Sequence, residues 1–254
     1  MTVAPRLEII PLSGLPMFET GDSLADAILA GLDAFALVDD DVIVVAQKIV
    51  SKVEGRTVAL ADIVPGEAAL AIAGITGKLP TVAQLMLDEG EVMRARPNVA
   101  IMRHRLGHVA ANSGIDASNL PGGGTEQVLL WPVDPDASAQ ALRTALMAAT
   151  GRRLAVIVAD SLGRAWRIGT IGTAIGSAGL LPLTDRRGER DLYGRELLVT
   201  MVAVADSIAA AAVLAMGEGD EGLPVAIVRG ATYLPDENAR ATALVRPPHE
   251  DMFP

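Results

Sequence analysis

Three carboxylates in this sequence stand where hard-cation chemistry would need them. Asp160 follows the apolar run Leu154 to Ala159. That run reads as a buried strand ending at Asp160, and the carboxyl edge of such strands faces the ligand crevice in open α/β sheets. Ser161 adds a hydroxyl beside it. Asp116 falls in the polar stretch Asn112 to Asn119, and Glu218 in a glycine-rich turn after a long apolar segment. Each acid is flanked by small residues. Oxygen donors delivered from separate loops suit Mg²⁺-like ions, which take few protein carboxylates and complete their shell with phosphate and water. Each acid taken alone also fits a solvated cap or turn former.

A second constellation is Gln47, Lys48, Ser51 and Lys52, directly after the apolar run Val42 to Val45. It holds two of only three lysines in the chain, the third being Lys78. Lysine meets phosphate as a point charge, and an exposed polar turn is the competing reading. Gly163, Gly169, Gly172, Gly176 and Gly179 recur three to six residues apart. They fit close backbone approach to a ligand or a second chain, or a tight structural loop.

Some motifs mislead. Gly217-Glu218-Gly219-Asp220-Glu221-Gly222 matches G-x-G-x-x-G, but a helix precedes it and a strand follows, the reverse of a dinucleotide fingerprint. Gly77-Lys78 resembles the end of a P-loop, yet Ile72 stands at the first glycine position and Leu79 replaces the hydroxyl residue. His104 and His108 are four apart across Gly107, with no glutamate directly after His104, and read as a basic turn rather than a zinc site.

The elements that must position these groups are readable in outline. Asp22 is expected to cap a helix over 23–35 and Asp136 one over 137–149. Helices are also expected over 81–93 and about 194–215. Strands are expected at 42–45, 99–102, 154–159 and 225–228, and the stretch 112–126 as a loop. No repeat and no Pro/Ser-rich linker divides the chain. The expected fold is mixed α/β, with two intertwined lobes lacking a clean linker, neither Rossmann nor P-loop.

The 254 residues are half apolar and carry a net charge of −10. That excludes a disordered chain and disfavours a nucleic-acid partner. Residues 143–195 reverse the sign, with nine arginines against four acids, which suggests an anionic ligand or an acidic neighbouring chain. Cysteine is absent, so no disulfide framework or thiolate site exists, and a cytoplasmic location is the default. The apolar stretch Leu197 to Met216 is interrupted by Asp206 and Ser207, and no membrane span is expected. Trp166 is the aromatic nearest the expected site, with a core or interface role as the alternative.

Taken together, Pro11 to Pro16, Gln47 to Gly55, Asn112 to Asn119, Ala159 to Arg164, Trp166-Arg167, Gly169 to Gly176, Met216 to Gly222 and Val225 to Gly230 resemble, in this order, the coenzyme F-420-0:gamma-glutamyl ligase family. The resemblance spans nearly the whole length. It implies a single ligase domain over 1–254 and GTP-driven addition of L-glutamate to the lactyl carboxylate of F-420-0 by way of an acyl phosphate. It further implies Mn²⁺ or Mg²⁺, two ions in all, with K⁺ as a stimulant, and a homodimer. Asp116, Asp160, Ser161 and Glu218 would serve the metal. Leu12, Ser13, Gly14, Leu15, Gln47, Lys48, Lys52 and Asn119 would line the nucleotide site with the turn Met216, Gly217, Gly219, Asp220, Glu221, Gly222 and Leu223. Arg164, Arg167, Arg186, Arg187 and Arg190 are candidates, from charge alone, for the anionic substrate. Some relatives carry a C-terminal flavin-dependent domain; with the chain ending at Asp251-Met252-Phe253-Pro254, none is expected here. A related nucleotide-dependent amide ligase acting on another carboxylate, or a non-catalytic GTP/GDP-binding protein, are the alternatives.

Overall fold

Three apolar runs and two edge strands build the central sheet. They are β1 (Glu8–Pro11), β2 (Val42–Ala46), β8 (Ala155–Gly163), β9 (Thr170–Ala178) and β12 (Val225–Arg229), in the order β1-β12-β2-β8-β9. Only β2 and β8 run parallel. The computed structural model describes residues 6–32, 35–120 and 125–251. Residues 121–124 of the expected loop, 33–34 of the first expected helix and the terminal 252–254 lie outside them.

The central strands are apolar on both faces because both are covered. Ile43, Val45, Val156, Val158, Val225 and Ile227 meet α1 (Leu24–Gly31), α2 (Gln47–Val53) and α5 (Pro135–Thr150). The alternate residues Val42, Val44, Ala155, Ile157, Ala226 and Val228 meet α6 (Val204–Met216). Each such fully buried valine, isoleucine or leucine contributes on the order of 1.5–3 kcal/mol.

The connection from β2 to β8 carries the second lobe. It contains β3 (Thr57–Ala59), α3 (Glu67–Thr76), α4 (Pro80–Glu89), β4 (Gly90–Arg96), β5 (Val99–His104), β6 (Val109–Ala111) and β7 (Gln127–Leu129). β4-β5-β6 form one small sheet and β3-β7 another. Leu60, Leu85, Val128 and Leu130 fill one small core there, and Met86, Ala100 and Met102 another. The mixed α/β class is as expected. Among the described residues no single helix is long and apolar enough to cross a membrane; α3 and α4 together have the length but bend by 112°.

Several boundaries differ from expectation. Ser23, not Asp22, caps α1 by accepting from the Asp26 amide, while Asp22 accepts from Glu19. Asp134, not Asp136, caps α5, because Pro135 takes the first helical position. The Asp136 carboxylate instead accepts from the amides of Ser177 and Ala241. α4 ends at Glu89, and residues 90–93 belong to β4. α6 starts only at Val204: Met201–Ala203 form β11, which pairs with β10 (Leu183–Asp185). The segment after β2 is a helix, α2, rather than a turn. β8 runs on to Gly163 instead of stopping at Asp160.

Gly176 on β9 lies against the start of α5. A Cβ there would meet the Pro135 carbonyl carbon and oxygen at 2.3 Å, backbone that cannot swing aside. Gly176→Ala is expected to cost about 1–3 kcal/mol as overpacking does, read as a lowered urea midpoint at unchanged m-value; an unchanged midpoint would show that α5 can move away freely.

Candidate functional site

The parallel ladder of β2 and β8 ends at the pair Ala46–Ala159. The chain turns into α2 on one strand and continues as Asp160-Ser161 on the other. The sheet's ladder shifts at Val158/Ala159 against β9, a bulge of the kind that re-aims side chains beside sites, and Asp206 accepts the Ala174 amide at that point. A cavity of about 590 Å³ opens here. Its walls are residues 15–18, α2, the loop 116–119, β8 from Ala159 to Ser161, Thr170 and the turn after α6.

The i, i+4 spacing puts Lys48 and Lys52 on one face of α2. Lys48 Nζ bonds Asp116 Oδ2 and Ser118 Oγ, both at 2.8 Å, and Lys52 Nζ donates to the Asn119 carbonyl at 2.9 Å. Burial, with Lys48 close by, lowers the Lys52 pKa against the pull of Asp116. The other face of α2 is buried, and there Ser51 Oγ donates to Gln47 Oε1 at 2.9 Å. Among the described residues, the Gln47 Nε2 beside it is buried without a hydrogen-bond partner.

Asp116 is pinned by a two-way backbone bridge to Leu129 and by the Ser118 amide and hydroxyl. Burial works against its charge, but Lys48 and Ser118 outweigh that and hold the carboxyl below its ordinary value. Asp160 is the reverse case. Burial pushes its carboxyl up to about 6 and the Asp116 charge adds to the rise, against hydrogen bonds from the Ser161 amide and Trp131 and the Lys48 charge. Ser161 Oγ donates to Glu218 Oε1 at 2.7 Å. The wall is therefore rich in carboxylate oxygen. Among the described residues, however, no three acids or histidines close on one point.

The expected residues thus divide. Leu15, Gln47, Lys48, Lys52, Asp116, Asn119, Asp160, Ser161, Met216, Gly217, Glu218, Gly219, Asp220, Glu221, Gly222 and Leu223 line the one cavity. Leu12 is a core residue, and Ser13 and Gly14 are exposed outside the lining. Arg164, Arg167, Arg186, Arg187 and Arg190 are exposed and outside the lining; Arg186 pairs with Glu189 and Arg187 with Asp185.

Phe18, Thr170 and Trp131 escaped the sequence reading. The first two line the cavity. Trp131 is fully buried, and its Nε1 donates to Asp160 Oδ2 at 2.8 Å. Trp166, expected to be the aromatic nearest the site, is 87% exposed. His104 and His108 do bound a turn, with the His104 amide donating to the His108 carbonyl, but their rings are not exposed basic groups. Both are buried and pack on Trp131, with ring centroids at 4.7 and 5.7 Å. A feature that could have drawn attention to them is histidine at the end of an apolar strand.

The family model described as F420-0:Gamma-glutamyl ligase matches residues 14–230. A coenzyme F420:L-glutamate ligase of Methanocaldococcus jannaschii is 42% identical over 98% of this chain and 97% of its own length. One from Methanothermobacter thermautotrophicus is 44% identical over 97% and 98%, and one from Archaeoglobus fulgidus 43% over 89% and 88%. With matches of this extent running through every wall of the cavity, the chain belongs to the F420-0:Gamma-glutamyl ligase family.

Proposed function

We propose that this chain is an amide ligase that joins the amine of L-glutamate to the lactyl carboxylate of F-420-0, driven by GTP through an acyl phosphate. The supporting observation is the convergence, on one cavity, of two lysines and three carboxylates from separate elements. The printed names of the relatives support glutamate and the F420 coenzyme as substrate classes.

In the first step a substrate carboxylate oxygen attacks the γ-phosphorus, and the bond to the β,γ-bridging oxygen breaks with GDP taking the electron pair. In the second the glutamate amine attacks the acyl carbon, the bond to phosphate breaks, and the amine gives up one proton. The chain's side chains position and neutralise. Lys48 and Lys52 face the phosphates, with Lys48 already aimed by Asp116 and Ser118. The donor set fits a hard divalent cation, Mn²⁺ or Mg²⁺: it is all oxygen, and the half-buried Asp160 carboxylate feels the charge of a second one, Asp116. Carboxylates too spread to close a shell by themselves suit an ion that shares phosphate and water. Asp116, Asp160, Glu218 and Ser161 would hold it, and when bound it neutralises triphosphate charge.

Pairing of two copies belongs to this proposal. Trp166 and Ile168 before β9, and Leu192, Tyr193 and Leu198 after β10, are large apolar side chains left exposed, and exposed apolar surface supports an interface. Arg164, Arg167, Arg186, Arg187 and Arg190 are proposed for the anionic substrate on charge alone, since none of them lines this cavity.

Incubation with GTP, Mn²⁺, L-glutamate and F-420-0 is expected to give a product heavier by one glutamyl residue with one GDP released per addition. Intact GTP and unchanged F-420-0 would overturn the proposal. GTP consumption with only another carboxylate would favour a related ligase.

A further inference from the structure

We propose that Trp131 is a positioning residue for the cation site, acting through Asp160. The inference rests on the reading above, in which Asp160 holds a divalent ion.

Trp131 follows β7 and is wholly buried, yet its one polar atom points at the cavity wall: Nε1 donates to Asp160 Oδ2 at 2.8 Å. The other Asp160 oxygen, Oδ1, accepts from the Ser161 amide at 2.9 Å. Together these two bonds fix the carboxylate plane, so Asp160 offers its remaining lone pairs in one orientation. An indole N–H is a donor only, so Oδ2 is held as the acceptor of this bond.

The indole itself is clamped from three sides. His104 stacks at a tilt of 49° with centroids 4.7 Å apart, and His108 meets it edge-on at 88°. On a further side lies Gly114, where a Cβ would fall 2.2 Å from Trp131 Cε2. His104 is locked in turn, because its Nδ1 accepts the Leu106 amide, leaving Nε2 to donate to Glu89 at 3.1 Å. A chain of contacts thus runs from the inserted lobe, through one rigid ring, to the carboxylate on the central sheet. Outer hydrogen-bond partners of metal ligands typically tune affinity 10- to 100-fold.

The test is direct Mn²⁺ titration of the full chain, following free Mn²⁺ by its paramagnetic resonance signal. Trp131→Phe keeps an aromatic ring between the histidines and removes the N–H. It is expected to raise the Mn²⁺ Kd by about 10- to 100-fold. Replacement of Trp131 by benzothienylalanine keeps the bicyclic shape with sulfur in place of N–H, and is expected to weaken binding as much without lowering the melting temperature. That second variant decides the matter if the phenylalanine variant does not fold. A purely structural role predicts the opposite pattern, a shifted melting temperature and an unchanged Kd. Wild-type Mn²⁺ binding together with a benzothienylalanine variant within twofold of it would overturn the inference and leave the cation site standing. Absence of Mn²⁺ binding by the unaltered chain would overturn the cation site and the inference with it.

Discussion

Asp160→Ala is expected to reduce kcat/KM for GTP-driven glutamyl transfer by about 10³-fold or more, the scale on which loss of a charge-stabilising group acts in a closed site. Asp160 is the acid whose surroundings oppose its charge most plainly: burial and the Asp116 carboxylate both push its pKa up, to about 6. A group kept under such conditions is a functional candidate. Alanine also strips Trp131 Nε1 of its acceptor in a buried place, which costs about 1–3 kcal/mol of stability. Asp160→Asn separates the two effects. It removes the charge and keeps one carbonyl oxygen, enough to accept from the indole at the Oδ2 position while the Ser161 amide loses its Oδ1 acceptor. Its melting temperature should therefore fall less than that of the alanine variant while its activity falls as far. Activity near that of the parent in a folded asparagine variant would remove Asp160 from the site.

The parts of this architecture visible in the sequence are those that local pattern determines. β2, β8 and β12 are near-continuous apolar runs because helices cover both sheet faces, and such runs stand out in any window. Helix starts were less legible. Asp22-Ser23 and Asp134-Pro135-Asp136 each offer competing caps, and the choice was made by where the neighbouring chain passes: Asp136 is taken by amides 41 and 105 residues away. The site divides along the same line. Acids and lysines announce themselves by type, so Asp116, Asp160, Glu218, Lys48 and Lys52 could be named from residue chemistry. Trp131 could not, because nothing local ties position 131 to position 160; that contact exists only once β7 and β8 are placed. Leu12, Ser13 and Gly14 show the converse. Resemblance of a whole block named them, but the block also contains the residue that plugs the core, and only Leu15 of the four lines the cavity.

Glu89→Ala should be the most destabilising single change among the ionic groups outside the cavity, at about 3–5 kcal/mol, because it leaves partly buried cations without their counter-charge. The Glu89 carboxylate receives Arg56 at 2.8 Å, Arg105 at 3.0 Å and His104 at 3.1 Å. Burial opposes its charge, yet these partners prevail and hold its pKa near 2. Its stabilisation is therefore complete above its unfolded value of about 4.5 and is lost as pH falls from there toward 2. His108, beside the same tryptophan, acts earlier. Burial, aided by His104, lowers its pKa from 6.5 to about 4. The unfolded chain takes up that proton first, so stability drops as pH falls from 6.5 to 4, by roughly 3 kcal/mol in full. Asp160, raised to about 6, works in the opposite sense over that window, so the parent's net slope does not isolate the histidine. The difference between the parent and His108→Phe does, since phenylalanine keeps an aromatic edge against Trp131 and cannot titrate. Urea unfolding at pH 7, 5.5 and 4 is expected to show the two chains diverging as pH falls, the phenylalanine variant losing less. Parallel loss in both would mean that His108 is not held neutral in the folded chain, and that the ring array clamping Trp131 tolerates a buried charge.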